Sequence, residues 1–159
     1  LVPTVKHGSG VIVWGSTAAT GVGNLVFIED IMDHRLYTNI LRHNLKPSVE
    51  KLGLGHCWIF EQDNDPKHTA RLVREWALYN VPKQLHTSSQ PPDLNPIEQI
   101  WVELDRRVRK HRIISKMTLK NAITKEEAKI PPSVTESFVL SMPARLQAVI
   151  DSNVGPTKY

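Results

Sequence analysis

Glu61-Gln62-Asp63-Asn64-Asp65-Pro66-Lys67-His68 and Pro92-Asp93-Leu94-Asn95-Pro96-Ile97-Glu98 decide how this chain is read. The first string follows Cys57-Trp58-Ile59-Phe60, a short apolar run bounded by polar and turn residues. Such a run predicts a buried strand over 57–62. Asp65-Pro66 then supplies a capping side chain and a proline at the first helical position, so a helix starts there. Asn95-Pro96 repeats the signal and puts Glu98 in the first turn of a second helix. Asp63 therefore leaves the C-terminal end of a strand, and Glu98 lies at the N-terminal end of a helix. The 34 residues between them accommodate one helix, one short strand and two turns. A chain of that length can return and set both acids on one edge of a sheet.

Paired carboxylates suit hard divalent cations, which take oxygen ligands and keep waters or substrate phosphates in their shell. Two such cations can serve phosphoryl transfer. The same acids also have ordinary uses. Aspartate before Asn-Asp-Pro is turn chemistry, and glutamate in a first helical turn complements the helix dipole. Spacing alone leaves both readings open.

Outward from this stretch the pattern is mixed α/β. Val11-Ile12-Val13-Trp14 and Leu25-Val26-Phe27-Ile28 read as strands in an antiparallel hairpin with a longer loop. Asp33 caps a helix from His34, with Leu36, Ile40 and Leu41 on its apolar stripe. Pro47 should kink or break that helix. Val49 and Leu52 extend the stripe until Gly53 and Gly55 end it. After Pro66, the residues Thr69, Val73, Trp76 and Ala77 share a helical face. Pro82 restricts 81–85 to a short or edge strand, and 87–92 reads as a loop. Ile97, Ile100, Trp101, Leu104 and Val108 follow i, i+3, i+4 spacing, which makes Trp101 a core residue. This helix ends in Arg106, Arg107, Arg109, Lys110 and Arg112, either complements to its C-terminus or phosphate contacts. Pro131-Pro132 and Pro143 divide the tail into helices near 118–129, from Ser133 and over 144–151, which cover one face of the sheet.

The two acid-bearing strings resemble the catalytic domain of Tc/mariner-superfamily transposases. Thr4-Val5-Lys6-His7-Gly8 with Val13-Trp14-Gly15, and Ser141-Met142-Pro143-Ala144-Arg145-Leu146 through Asp151, resemble that family too. The likeness implies an RNase H-like mixed sheet flanked by helices, with a catalytic core over 1–112 and a helical extension of the same domain over 113–159. It implies a DDE polynucleotidyl transferase that cleaves and joins DNA with two Mg2+ or Mn2+ ions. Asp63 and Glu98 match the second and third acids and would be catalytic and metal-binding. Lys67, His68 and the Arg106 to Arg112 cluster are the candidate DNA contacts. Transposon ends and target DNA are the implied partners, with a homo-oligomer in the full-length protein and action in the nucleus. The family's first aspartate precedes the Thr-Val-Lys-His-Gly segment, and no acid here precedes Glu29. The expectation is a fragment lacking the first strand and its acid, and inactive as it stands. Pro91 stands where the family has serine, which bears on loop packing and not on the acids. The alternative is a non-catalytic, transposon-derived module that binds nucleic acid or another transposase chain.

Composition fits either reading. The 159 residues suggest one domain. A net charge of +4 and a pI near 9.3 suit a polyanionic partner without requiring one. The lone Cys57 excludes an internal disulfide and reads as a small buried hydrophobe. No apolar run approaches the roughly 18 residues of a membrane span. No histidine pair has zinc-like spacing with a cysteine, and neither a glycine-rich phosphate loop nor Gly-x-Ser-x-Gly occurs.

Overall fold

The computed structural model describes residues 11–85 and 95–153; the loop read at 87–92 lies outside them. Two strands open the fold, β1 (Ile12–Ala18) and β2 (Gly21–Ile28). They pair antiparallel with Ile12 opposite Ile28 and Trp14 opposite Val26, and the register shifts between Gly15 and Thr17. The expected longer loop is not there. Pairing continues to Ala18 opposite Gly21, so only Ala19 and Thr20 connect the strands. Gly21 takes a φ of 144°, open to glycine and costly for other residues.

Alternation along β1 decides what lies on each side of the hairpin. Val11 and Val13 join one core with Ile97, Ile100, Trp101, Leu104 and Ile123. Trp14 faces the other core with Ile28, Tyr37, Leu41, Phe60 and Val73. Helices thus flank both faces. On the Trp14 side lies α1 (His34–Lys51), whose N-cap Asp33 accepts hydrogen bonds from the amides of Arg35 and Leu36. Pro47 does not end this helix. Pro47 and His43 both face solvent, so water can serve the carbonyl that loses its amide partner. The buried face, Leu41, Leu45, Ser48 and Val49, runs past the proline unbroken. Ser48 also ties α1 to the sheet, since its Oγ accepts from the Asn24 amide at 2.9 Å. Gly23 makes that approach possible, because an added Cβ would lie 2.8 Å from Ser48 Cβ.

The strand expected over 57–62 shrinks to β3 (Phe60–Glu61). Phe60 is buried, while Ile59 is largely exposed and Cys57 is exposed. Cys57 is therefore not the buried hydrophobe its apolar neighbours suggested, because 57–59 have no sheet partner among the described residues. The helix after Pro66 also divides. α2 (Pro66–Thr69) is one turn, Ala70 is extended, and α3 (Arg71–Asn80) resumes. Val73 and Ala77 are buried, whereas Thr69 is exposed because it precedes the break. β4 (Gln84–Leu85) lies parallel to β3, with Phe60 opposite Gln84. The described strands form two separate pairs, β1–β2 and β3–β4.

The other side carries α4 (Pro96–Val108), with all five of its predicted apolar positions buried. α5 (Lys116–Glu127), α6 (Pro132–Leu140) and α7 (Met142–Asn153) follow. Leu119, Ala122 and Ile123 of α5 join the Val13 core, and Val134 and Phe138 of α6 pack against it. Helices α5 and α6 thus cover one face of the hairpin, as their sequence suggests, while α7 packs on α6. None of the described helices is long and apolar enough to cross a membrane.

Candidate active site

The parallel β3–β4 pair sets where Asp63 stands. The Phe60 amide donates to the Lys83 carbonyl at 2.8 Å and anchors β3. Asp63 follows two residues beyond the strand's last residue, where the chain turns. Its Oδ1 accepts the Asp65 amide at 3.1 Å, closing an Asx turn. Asp65 then caps α2 through the Lys67 amide at 2.9 Å. That single turn swings His68 back, and His68 Nδ1 hydrogen-bonds Asp63 Oδ1. Burial pushes the Asp63 carboxyl up. The hydrogen bonds from His68 and the Asp65 amide outweigh that, and the net shift is below the usual aspartate value.

Glu98 arrives from the other direction. Asn95 caps α4 through the Ile97 amide at 3.3 Å, and the Glu98 amide donates to the Asn95 carbonyl at 3.1 Å. Ile97, Ile100 and Trp101 hold the helix against the core. Glu98 is partly buried beside that apolar face. Its carboxyl is raised above the usual value, first by burial and then by the negative charge of Asp63. Glu98, remote in sequence from Asp63, therefore senses its charge. Among the described residues, no group of three His, Cys, Asp or Glu side chains gathers as metal ligands would.

The candidate DNA contacts fare differently from one another. Lys67 Nζ donates to Asp65 Oδ2 at 2.9 Å. His68 is only 2% exposed, so its ring serves Asp63 and does not reach a phosphate on the surface. Arg106 donates to Glu103 through two nitrogens, each at 2.8 Å, and Arg107 donates to the same carboxylate at 2.6 Å. These bonds hold the Glu103 carboxyl down at about 2. Arg109 donates to Asp105 at 2.6 Å. Lys110 and Arg112 are exposed at the helix end.

Two residues of this neighbourhood carried no signal that sequence reasoning used. Tyr37 is fully buried, and its hydroxyl donates to Gln62 Oε1 at 2.7 Å. Burial first, then the charge of Asp63, pushes that hydroxyl well above its usual value, so it remains a donor. Gln62 Nε2 donates in turn to the His68 carbonyl at 2.8 Å. Tyr37 could have been found by period alone, one turn before Leu41 on the apolar stripe of α1.

No protein-family model matches the chain. It is 44% identical over 159 residues to the Tc1 transposase of Caenorhabditis elegans, which covers 99% of this chain and 58% of that relative. It is thus a stretch spanning less than two thirds of its curated relative. The fold matches the Mos1 transposase catalytic domain solved with raltegravir and Mn at a TM-score of 0.82, with 18% identity over 99% of this chain and 82% of that one. It also matches Mos1 transposase in a paired-end complex with the left transposon end at a TM-score of 0.80, with 18% identity over 98% of this chain and 48% of that one. The architecture is the RNase H-like one of a transposase catalytic domain. By sequence, the chain is similar over nearly its whole length to transposases of the Tc/mariner superfamily.

Proposed function

We propose that this chain carries the second and third acids of a DNA-cleaving and DNA-joining transposase, Asp63 and Glu98. The observation that supports this most is that Glu98, in the first turn of α4, is raised in part by the negative charge of Asp63, which follows β3. The reaction class is hydrolysis of a phosphodiester at a transposon end, followed by attack of the freed 3′ hydroxyl on target DNA.

The donor set fits a hard divalent cation. Both ligands are carboxylates, and Asp63 is open enough to be reached, with its side chain 38% exposed. Glu98 bears a repulsion from Asp63 that a cation between them would relieve. Two acids leave room for waters and substrate phosphates in the shell, as Mg2+ prefers. When bound, two Mg2+ or Mn2+ ions would polarise the scissile phosphate and stabilise the attacking and leaving oxygens. The chain's own part is to hold two negative side chains in register and to keep Asp63 ionised through His68 and the Asp65 amide.

Transposon ends and target DNA are the partners this reading requires. Exposed Lys110 and Arg112, with Lys67 and the paired Arg106, Arg107 and Arg109, are the proposed backbone contacts. A homo-oligomer acting in the nucleus completes the proposal; Mos1 transposase itself has been solved as a paired-end complex. Residues 113–159 are read as an extension of the 1–112 core, since α5 and α6 share the apolar core of the β1–β2 hairpin. Calorimetric titration with Mn2+ tests the acid pair. Asp63→Asn and Glu98→Gln should each abolish or strongly weaken binding. Undiminished binding in both variants would refute the assignment.

A further inference from the structure

We infer that His68 is a positioning residue for the Asp63 carboxylate, held in place by Gln62 and Tyr37; this rests on the reading of Asp63 as a metal ligand. Among the described residues, two donors that reach Asp63, His68 Nδ1 and the Asp65 amide, converge on the same oxygen, Oδ1. An aspartate χ2 is a broad, nearly two-fold torsion, and an unrestrained carboxylate samples a wide arc. Two donors on one oxygen fix that torsion. Oδ1 is committed to the protein, which assigns Oδ2 to a cation.

The imidazole is built for this task and for little else. It is 2% exposed, so neither DNA nor bulk water reaches it. Its other nitrogen, Nε2, is buried with no hydrogen-bond partner among the described residues. A proton there would find no acceptor among the described residues, whereas a proton on Nδ1 is placed to be donated to Asp63. One face of the ring lies against Tyr37, with centroids 4.1 Å apart and planes inclined by 32°. The backbone of the same residue is held independently, because Gln62 Nε2 binds the His68 carbonyl at 2.8 Å. Tyr37 locks Gln62 in turn at 2.7 Å. Tyr37, Gln62 and His68 are all buried. A contiguous buried path thus runs from α1 to the Asp63 carboxylate, although α1 contributes no acid to the site.

Groups that orient a metal ligand typically change metal affinity by about 10–100-fold when removed. His68→Leu should therefore weaken Mn2+ binding by about that factor. His68→Asn should restore most of the loss, since the asparagine Nδ2 stands where the imidazole Nδ1 stood. Tyr37→Phe should weaken binding less. Titration of wild-type protein with Mn2+, followed by the electron paramagnetic resonance of the ion, reads affinity and ligand geometry. Thermal melts report whether each variant is folded. Nitrogen-15 spectra of the wild-type imidazole, recorded without metal, should show Nδ1 protonated and Nε2 bare.

The outcomes separate cleanly. Mn2+ binding indifferent to Asp63→Asn overturns the ligand reading, and this inference with it. Binding that needs Asp63 but is the same in folded His68→Leu overturns the inference alone. If His68→Leu does not fold, the milder Tyr37→Phe and the wild-type spectra decide. Unaltered Mn2+ affinity in Tyr37→Phe, or a proton on Nε2, then overturns the inference.

Discussion

Gly15→Ala is the sharpest test of how the sheet positions Glu98. Gly15 sits in β1 at the register shift, directly beneath the indole of Trp101. A methyl built there would stand 2.8 Å from Trp101 Cη2 and 3.2 Å from Cζ2. These are atoms of a ring that is 6% exposed, not the tip of a flexible chain. The ring must move, or the strand must. Overpacking of this kind costs about 1–3 kcal/mol. For a chain of this length that corresponds to a fall of roughly 2–12 °C in melting temperature. Because Trp101 lies one turn after Glu98 on α4, the displacement should also reduce Mn2+ affinity.

The control is Trp101→Phe, which removes the outer ring atoms that the methyl would strike. In a double-mutant cycle the two changes should compensate, with a favourable coupling above about 0.5 kcal/mol. Urea denaturation and thermal melts of the four proteins measure it. A Gly15→Ala protein as stable as wild type, or strictly additive effects, would refute the proposed contact between β1 and α4.

Glu98→Gln should raise the melting temperature at neutral pH while abolishing Mn2+ binding. The folded protein lifts the Glu98 carboxyl above its ordinary 4.5, so folded protein binds that proton more tightly and wild type loses stability as pH rises through that window. The gain should vanish below about pH 4, and a variant destabilised at pH 7 would contradict the burial argument. Over the same window, wild-type affinity for Mn2+ should fall as pH drops and Glu98 takes up its proton; a pH-independent affinity would count against Glu98 as ligand. Reversing Arg107 and Arg109 to glutamate should weaken duplex binding and flatten its salt dependence, and an unchanged slope would leave these arginines as partners of Glu103 and Asp105 only. The chain alone, with Mg2+ and a plasmid bearing the element's ends, should neither nick nor join DNA; cleavage that disappears in Asp63→Asn would show that another acid, such as Glu61 or Asp65, completes the site.

The parts of this fold that could be read directly from sequence are those whose determinants are local. For α4, a cap, a proline and a five-residue apolar face all act within thirteen residues, and its start, face and buried Trp101 follow from them. The start of α2 obeys the same logic through Asp65 and Pro66. Both acids stand at fixed offsets from these caps, and so their placement was legible. Cys57 shows the opposite case. Its apolar neighbours imply burial, but burial of a short run needs a partner strand, and among the described residues β4 pairs with Phe60 and Glu61 and not with 57–59. Pro47 fails as a helix breaker for a related reason: the penalty depends on whether the freed carbonyl meets water, and only the fold says which side faces out.

His68 marks where local reading stops. Its sequence neighbours, Lys67 and Thr69, suggest an exposed turn beside a metal edge, and from that the inference of phosphate contact is natural. Burial of the ring depends instead on Tyr37, 31 residues earlier, and on the one-turn length of α2 before Ala70 extends. Had α2 run on without interruption into α3, the geometry of 65–71 would be that of one continuous helix, and the Gln62 bond to the His68 carbonyl would compete with an intrahelical amide. The break at Ala70 leaves that carbonyl available to Gln62. A backbone irregularity that no propensity argument favours is thus what lets a buried amide and a buried tyrosine hold the histidine on its carboxylate.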